Sequence, residues 1–224
     1  MEEVDLKKYP FNHRLRHHTA PNLYFSIQEL KYQPENYPLP LDSVNWEQIY
    51  SNKNPPDMLD IGCGRGIFLL NTALNNSEKN ILGIEIRKGL TDWISEIVKG
   101  ENIGNCAVLW YSVTNGIKFI QDESIESAFY LFPDPWYKRR HVKRRAFDLD
   151  FLNEVHRVLK PNGRLYLATD VEEINEYHKS TLQKFQKLKF NIIIDNSEWK
   201  LLSTNKENFC SANKIPIYRI IATK

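Results

Sequence analysis

The sequence predicts a doubly wound α/β domain built on a mostly parallel sheet, and three observations carry that prediction. Short apolar runs alternate with amphipathic helical segments along most of the chain. The first of these runs ends in a glycine loop, DIGCGRG, that opens a helix. An acid, Glu85, ends the second run about twenty residues beyond that loop, the place where a carboxylate meets a ribose.

The elements follow in order. Met58–Ile61 is the first strand and Ile67–Leu74 the helix after the loop. Ile81–Ile86 reads as the second strand, and Lys88–Lys99 as an amphipathic helix. Ala107–Trp110 is the third strand, followed by an expected short helix at Gly116–Gln121. Ser127–Phe132 is the fourth strand. The helix Phe147–Leu159 is expected to stop at Pro161-Asn162-Gly163. Arg164–Thr169 is the fifth strand and Val171–Leu188 a long helix, and Phe190–Asp195 and Ile215–Ala222 complete the apolar runs. Residues 1–56, rich in Pro, Asn, Tyr and His, read as an irregular N-terminal arm, and residues 57–224 as the domain.

Bulk properties exclude several classes. The 224 residues suit one domain, and 42% hydrophobic with 26% charged residues is ordinary for a packed chain, which excludes long disorder. A net charge of +2 says little about partners, so the distribution of charge matters more. No stretch of about 18 apolar residues occurs, so no membrane span is expected. Cys63, Cys106 and Cys210 are odd in number and widely spaced. They offer neither a disulfide framework nor a CxxC site, which predicts a reducing compartment, the cytoplasm. No His/Cys/Asp cluster suggests a metal. Monomer and homodimer both stay open.

The glycine loop is specific about its ligand. Its spacing is G-x-G-x-G, with Gly62, Gly64 and Gly66, whereas a nicotinamide dinucleotide fingerprint needs glycine where Ile67 stands. Asp60 lies two residues before the loop, at the strand end. Its carboxylate suits the amino group of a zwitterionic amino-acid tail and would repel a pyrophosphate. With Glu85 on the ribose, the set favours a nucleoside that carries an amino-acid tail, S-adenosylmethionine.

LFPDPWYKRRHVKRR, after the fourth strand, carries the second half of the chemistry. Ligands of open α/β sheets sit at the carboxyl ends of strands, so Asp134 is brought beside the donor methyl group. Pro133 and Pro135 fix the backbone on either side. Trp136 offers a flat face for a base. Lys138, Arg139, Arg140, Lys143, Arg144 and Arg145 supply six cations in ten residues for phosphate contacts. A basic run alone is usually a solvated loop; fused to Pro-Asp-Pro-Trp it points to RNA.

The motif PDPW-x-K-x-RH-x-KRR resembles the signature of the tRNA (guanine-N(7))-methyltransferases. The matching residues are Pro133, Asp134, Pro135, Trp136, Lys138, Arg140, His141, Lys143, Arg144 and Arg145. The resemblance runs from about residue 57 to the C-terminus and is weakest in the arm. It implies a Rossmann-like S-adenosylmethionine-dependent methyltransferase acting on tRNA, at guanine N7 in the variable loop, position forty-six. Asp60, Gly62, Gly64, Glu85 and Asn115 would then line the donor site, and Asp134 would lie closest to the transfer. Lys138, Asp170 and the segment from Thr204 to Glu207 would meet the tRNA.

Two positions depart from the family pattern. Asn115 stands where bacterial relatives typically carry Asp, and Asn can still bond adenine through its donor and its acceptor. The C-terminal motif T-[KR]-[FY]-E becomes Thr204-Asn205-Lys206-Glu207, with the aromatic displaced to Phe209. T-x-x-E is also a helix capping box, and Asp170 can equally cap the helix that starts at Val171, so both roles stay open for these residues. The rival functions are an amino-group methyltransferase, which would carry Asp/Asn-Pro-Pro-aromatic, and an inactive RNA-binding protein on the same fold.

Overall fold

The structure, a computed structural model, describes residues 2–11 and 20–224. Arg14 and Arg16, which the sequence offers as further cations for RNA, and His17 and His18, which it offers as solvated side chains, lie outside the described residues. Among the described residues seven strands pair into one sheet: β1 (Met58–Ile61), β2 (Ile81–Glu85), β3 (Cys106–Trp110), β4 (Ile125–Leu131), β5 (Leu159–Thr169), β6 (Lys189–Ile193) and β7 (Tyr218–Thr223). Their spatial order is β3-β2-β1-β4-β5-β7-β6. β1 to β5 run parallel, and β7 is antiparallel to both its neighbours. The chain order reverses on either side of β1, between β2 and β4, and ligands of such sheets sit in the crevice outside the strand ends at that point.

Among the described residues five helices cover the sheet: α1 (Ile67–Leu74), α2 (Lys88–Gly100), α3 (Leu149–Val158), α4 (Glu172–Phe185) and α5 (Asn205–Ala212). Two apolar clusters pack on it. One joins Leu59, Leu82, Leu165 and Ile220 to Leu152 and Val155 of α3 and Leu182 of α4. The other joins Met58, Ile81, Phe129 and Tyr166 to Leu69 of α1 and Ile94 of α2. All four residues of β1 are buried, as a central parallel strand requires, and its one charged residue, Asp60, is buried with them.

Two local expectations fail for physical reasons. No helix forms at 116–121; a 3-10 turn over Val113–Asn115 comes earlier and ends at Gly116, with φ 75°. Ile117, Phe119 and Ile120 then fill the core as an irregular segment. Pro161-Asn162-Gly163 does not separate helix from strand, because α3 ends at Val158 and β5 starts at Leu159. The tripeptide forms an irregularity inside β5, where pairing jumps from Ile125↔Leu159 to Ser127↔Arg164.

The arm forms 3-10 turns at Leu6–Lys8, Pro21–Tyr24, Ile27–Glu29 and Trp46–Gln48. Its first part straps the helices: the Val4 N–H donates to Asn71 of α1, and Trp93 of α2 donates to the Tyr9 carbonyl. The stretch after residue 20 crosses the carboxyl edge of the sheet. There the Ser112 hydroxyl donates to the Leu23 carbonyl at 3.0 Å, and the Ile27 N–H to Asn115 Oδ1 at 2.8 Å.

Candidate active site at the carboxyl edge of the sheet

A cleft of about 150 Å³ opens over the ends of β1, β2 and β4. Gly62, Glu85, Ser112, Asp134 and Arg87 are among its lining residues. The structure therefore brings together Gly62, Glu85 and Asp134, which come from three separate stretches of sequence.

Asp60 sits beneath the glycine loop, 3% exposed, and its carboxylate accepts no hydrogen bond among the described residues. Burial, reinforced by the nearby Glu85 carboxylate, pushes its pKa up to about 8. A buried acid without a donor is costly, and an ammonium delivered into the cleft would relieve it. Gly62, Gly64 and Gly66 have φ of 77°, 59° and 69°, a region side chains rarely adopt, so glycine is needed for the loop to curl over β1. The Gly64 N–H donates to Glu85 Oε2 at 2.9 Å. Cys63 is inert filler: burial pushes its thiol pKa well up.

Glu85 is 3% exposed and already gripped, with Arg87 Nε 2.8 Å from Oε1. Arg87 thus lies across the cleft. Pockets for small-molecule ligands usually measure about 300–1,000 Å³, larger than the space left beside the guanidinium. Taken with Asp60, the donor set fits an aminoacyl nucleoside: carboxylate for ammonium, carboxylate for ribose hydroxyls, open backbone at the loop.

Asn115 is not part of this cleft. Strand β3 ends at Trp110, and Tyr111, Ser112, Val113 and Thr114 after it line the cleft, with Asn115 the next residue along the chain. Its Oδ1 accepts from the Ile27 N–H and from the Tyr37 hydroxyl at 2.9 Å, and it lines a neighbouring cleft. It anchors the arm.

Asp134 lies between two strained residues. Phe132 and Trp136 have φ of 52° and 44°, which bulky side chains avoid. The strain is held by Arg145, whose Nε donates to the Pro135 carbonyl at 3.0 Å and whose Nη2 meets Glu173 of α4 at 2.7 Å. The Arg145 side chain is 6% exposed and stacks on Tyr177, so it clasps the loop and does not present a charge to phosphate. Trp136 is likewise no open platform: it is buried between Tyr24, His141 and Arg144. Lys138, Arg139, Arg140 and Lys143 remain exposed, on and beside the 3-10 segment Arg139–Arg144.

The residues expected on the RNA side form a second cluster at the ends of β5 and β7. Asp170 pairs with Lys206 at 2.7 Å. Thr204 and Glu207 make the capping box of α5. Glu207 is buried, with Oε2 accepting from the Thr204 N–H at 2.9 Å and Oε1 from Arg219 at 3.0 Å. Both its oxygens thus take hydrogen bonds within the fold. Tyr24, Arg87 and Arg145 were missed in the sequence; only Arg145 belongs to a motif, and there it counts as one more cation.

Among the described residues no group of three His, Cys, Asp or Glu side chains is placed to hold a metal, and no helix is long and apolar enough to cross a membrane.

Residues 54–220 match a family model described as "Putative methyltransferase". A Prochlorococcus marinus protein named tRNA (guanine-N(7)-)-methyltransferase is 32% identical over 201 residues, which cover 81% of this chain and 96% of the relative. The like-named Thermosynechococcus vestitus protein is 34% identical over 174 residues, covering 77% of this chain and 75% of the relative. Among solved structures, the 16S rRNA methyltransferase KamB superposes with a TM-score of 0.56 at 14% identity, over 80% of this chain and 90% of that one. The aminoglycoside resistance methyltransferase NpmB1 gives 0.54 at 16%, over 79% and 89%. At these identities the structural likeness speaks to the fold.

Proposed function

The chain belongs to the tRNA (guanine-N(7))-methyltransferase family, and from that premise we propose that it methylates guanine N7 of tRNA, in the variable loop, with S-adenosylmethionine as donor. The observation that carries the reading is Asp60: a carboxylate 3% exposed near the end of β1, just before the glycine loop that leads to a cleft lined by Gly62, Glu85 and Asp134.

S-adenosylmethionine, when bound, supplies a methyl group on a positively charged sulfur. Asp60 would receive the amino group of its tail, the Gly62–Gly64 backbone would allow close approach, and Glu85, held by Arg87 in this structure, would bind the ribose hydroxyls. Guanine N7 carries a lone pair and has no proton to lose, so the protein needs no strong base. What it must supply is alignment. Asp134, fixed between strained residues by the Arg145 clasp, stabilises the positive charge that develops on the purine. Lys138, with Arg139, Arg140 and Lys143, meets phosphates. We assign Asp170 and the segment from Thr204 to Glu207 to the RNA side, Glu207 acting there through the fold of α5. The three free thiols suit the reducing cytoplasm where tRNA is modified.

The test is incubation of bulk tRNA with isotopically labelled donor, followed by nucleoside analysis and by borohydride reduction with aniline scission to map the position. Label in 7-methylguanosine within the variable loop is expected. Label on an exocyclic amine would make the chain an amino-group methyltransferase, and no label would leave it an RNA-binding protein.

A further inference from the structure

We propose that Tyr24, on the N-terminal arm, is a positioning residue for the methyl transfer: its hydroxyl orients the Asp134 carboxylate and its ring closes the cleft beside it. The inference rests on the function proposed above.

Tyr24 Oη donates to Asp134 Oδ2 at 3.2 Å, and the ring packs edge-on against Trp136, with centroids 4.7 Å apart. The terminal torsion of an aspartate is broad, so each donor on its carboxylate narrows the rotation. Tyr24 supplies one such donor, on Oδ2. At 3.2 Å the bond is long for O–H···O. Contacts of this kind in ligand-free sites tighten when substrate closes them.

The arm around Tyr24 is held on both sides, and the bolts come from the active-site loops themselves. On one side the Ser112 hydroxyl, at the end of β3, donates to the Leu23 carbonyl. On the other, Asn115 Oδ1 accepts from the Ile27 N–H and from the Tyr37 hydroxyl, and that hydroxyl also donates to the Phe25 carbonyl at 2.8 Å. Lys143 of the basic loop stands 5.2 Å over the Phe25 ring. Tyr24 lines both the donor cleft and the neighbouring cleft, so its ring is part of the wall between them. Ser112 and Asn115 thus serve the active site by fixing the segment that carries Tyr24.

The experiment is a double-mutant cycle of Tyr24→Phe and Asp134→Asn, read as the single-turnover rate on tRNA with donor in excess. Tyr24→Phe keeps the ring and removes the hydroxyl. It should slow the methyl-transfer step by about 10-fold, the scale of one hydrogen bond to a charged group. Donor affinity, tRNA KM and Tm should stay as in the wild type. In the Asp134→Asn background the same change should add little, because the two act as one unit. Tyr24→Leu, which also opens the wall, should be slower than Tyr24→Phe.

An unchanged or faster rate in Tyr24→Phe overturns the proposal; a faster rate would make the arm a plug that substrate must displace. A loss confined to tRNA KM overturns it too, leaving Tyr24 a binding residue. Full additivity with Asp134→Asn would mean that Tyr24 does not act through the carboxylate. A wild-type enzyme that transfers no methyl group to tRNA would instead sink the underlying function, an outcome separate from all of these.

Discussion

Arg87 holds both oxygens of Glu85, with Nε 2.8 Å from Oε1 and Nη2 3.1 Å from Oε2. The acid proposed to bind ribose is therefore satisfied by the protein in the donor-free state, and on that proposal ribose hydroxyls would replace a guanidinium there. Arg87→Gln should lower the Tm of the donor-free protein, since a buried acceptor left short of partners costs on the order of 1–3 kcal/mol. It should also enlarge the rise in Tm that saturating S-adenosylmethionine produces, because the donor then restores a lost partner. Thermal melts with and without donor decide this. An equal rise in wild type and variant would mean that Arg87 does not compete for Glu85.

Asp60 gives a pH dependence whose sign is fixed. Burial and the Glu85 charge raise its folded pKa to about 8, far above the usual carboxylate range. The folded, donor-free protein thus keeps a proton that the unfolded chain releases near pH 4. The resulting stability is present below that value and is lost as pH rises through about 8. Asp60→Asn should flatten this slope and match or exceed wild-type Tm at pH 8, yet bind S-adenosylmethionine poorly. In the wild type, an ammonium in the cleft favours the ionised acid, so donor binding near neutral pH should release a proton. Calorimetry in two buffers of different ionisation enthalpy measures that release, and its absence would remove Asp60 from the donor site.

Much of this site was legible in the sequence because its chemistry sits in unbroken local patterns. The strand, glycine loop and helix from Met58 to Leu74 are contiguous, and Glu85 ends the next strand, so neighbours in sequence become neighbours in the cleft. Asn115 ends the 3-10 turn Val113–Asn115, directly after Thr114 on the cleft wall, a placement that strand periodicity does not give. The arm was opaque for a different reason. It shows no periodicity, and its function depends on single long-range bonds such as Tyr24 to Asp134, 110 residues apart. Composition also hid the division of labour among the basic residues, since Arg145 and Lys138 read alike until burial separates them.

That division is testable. Lys138, Arg140 and Lys143 are exposed, so neutralising each should weaken tRNA binding and lower the salt-dependence slope by roughly 0.7–0.9 per lost phosphate contact. Tm should not change. Arg145→Ala should do the opposite. It frees the Pro135 carbonyl and Glu173, so Tm should fall by an amount on the order of 1–3 kcal/mol in stability, turnover should drop, and the salt slope should stay. Filter binding over a salt series and thermal melts separate the two. An Arg145→Ala protein with wild-type Tm and a reduced slope would return that residue to the phosphate contacts.

Thr204 and Glu207 should behave as structural residues first. Thr204→Ala removes the cap of α5 at about 1 kcal/mol. Glu207→Gln keeps the shape but weakens the pair with Arg219, so Tm should fall further. Assayed well below their Tm, both variants should retain most of the wild-type rate per folded molecule. A Glu207→Gln enzyme with unchanged Tm and lost turnover would instead give the carboxylate a direct role in reading guanine.

Asp134 carries the sharpest expectation. Its two neighbouring prolines and the strained φ angles of Phe132 and Trp136 are held by Arg145 and by packing around Trp136, all to aim one small side chain into the cleft. Asp134→Asn preserves the shape and removes the charge, so donor affinity should change little while single-turnover rate falls. Developing charge in a partly water-excluded site is worth about 2.7–4 kcal/mol per well-aimed group, which is roughly 100- to 1,000-fold in rate. Asp134→Ala should be slower still, because it also loses alignment. The product should remain 7-methylguanosine in both, since ring nitrogen seven needs no base and the charge affects only how fast the methyl moves. A fully active Asp134→Ala protein would show that charge stabilisation lies elsewhere in the cleft, with Glu85 the nearest remaining carboxylate on its wall.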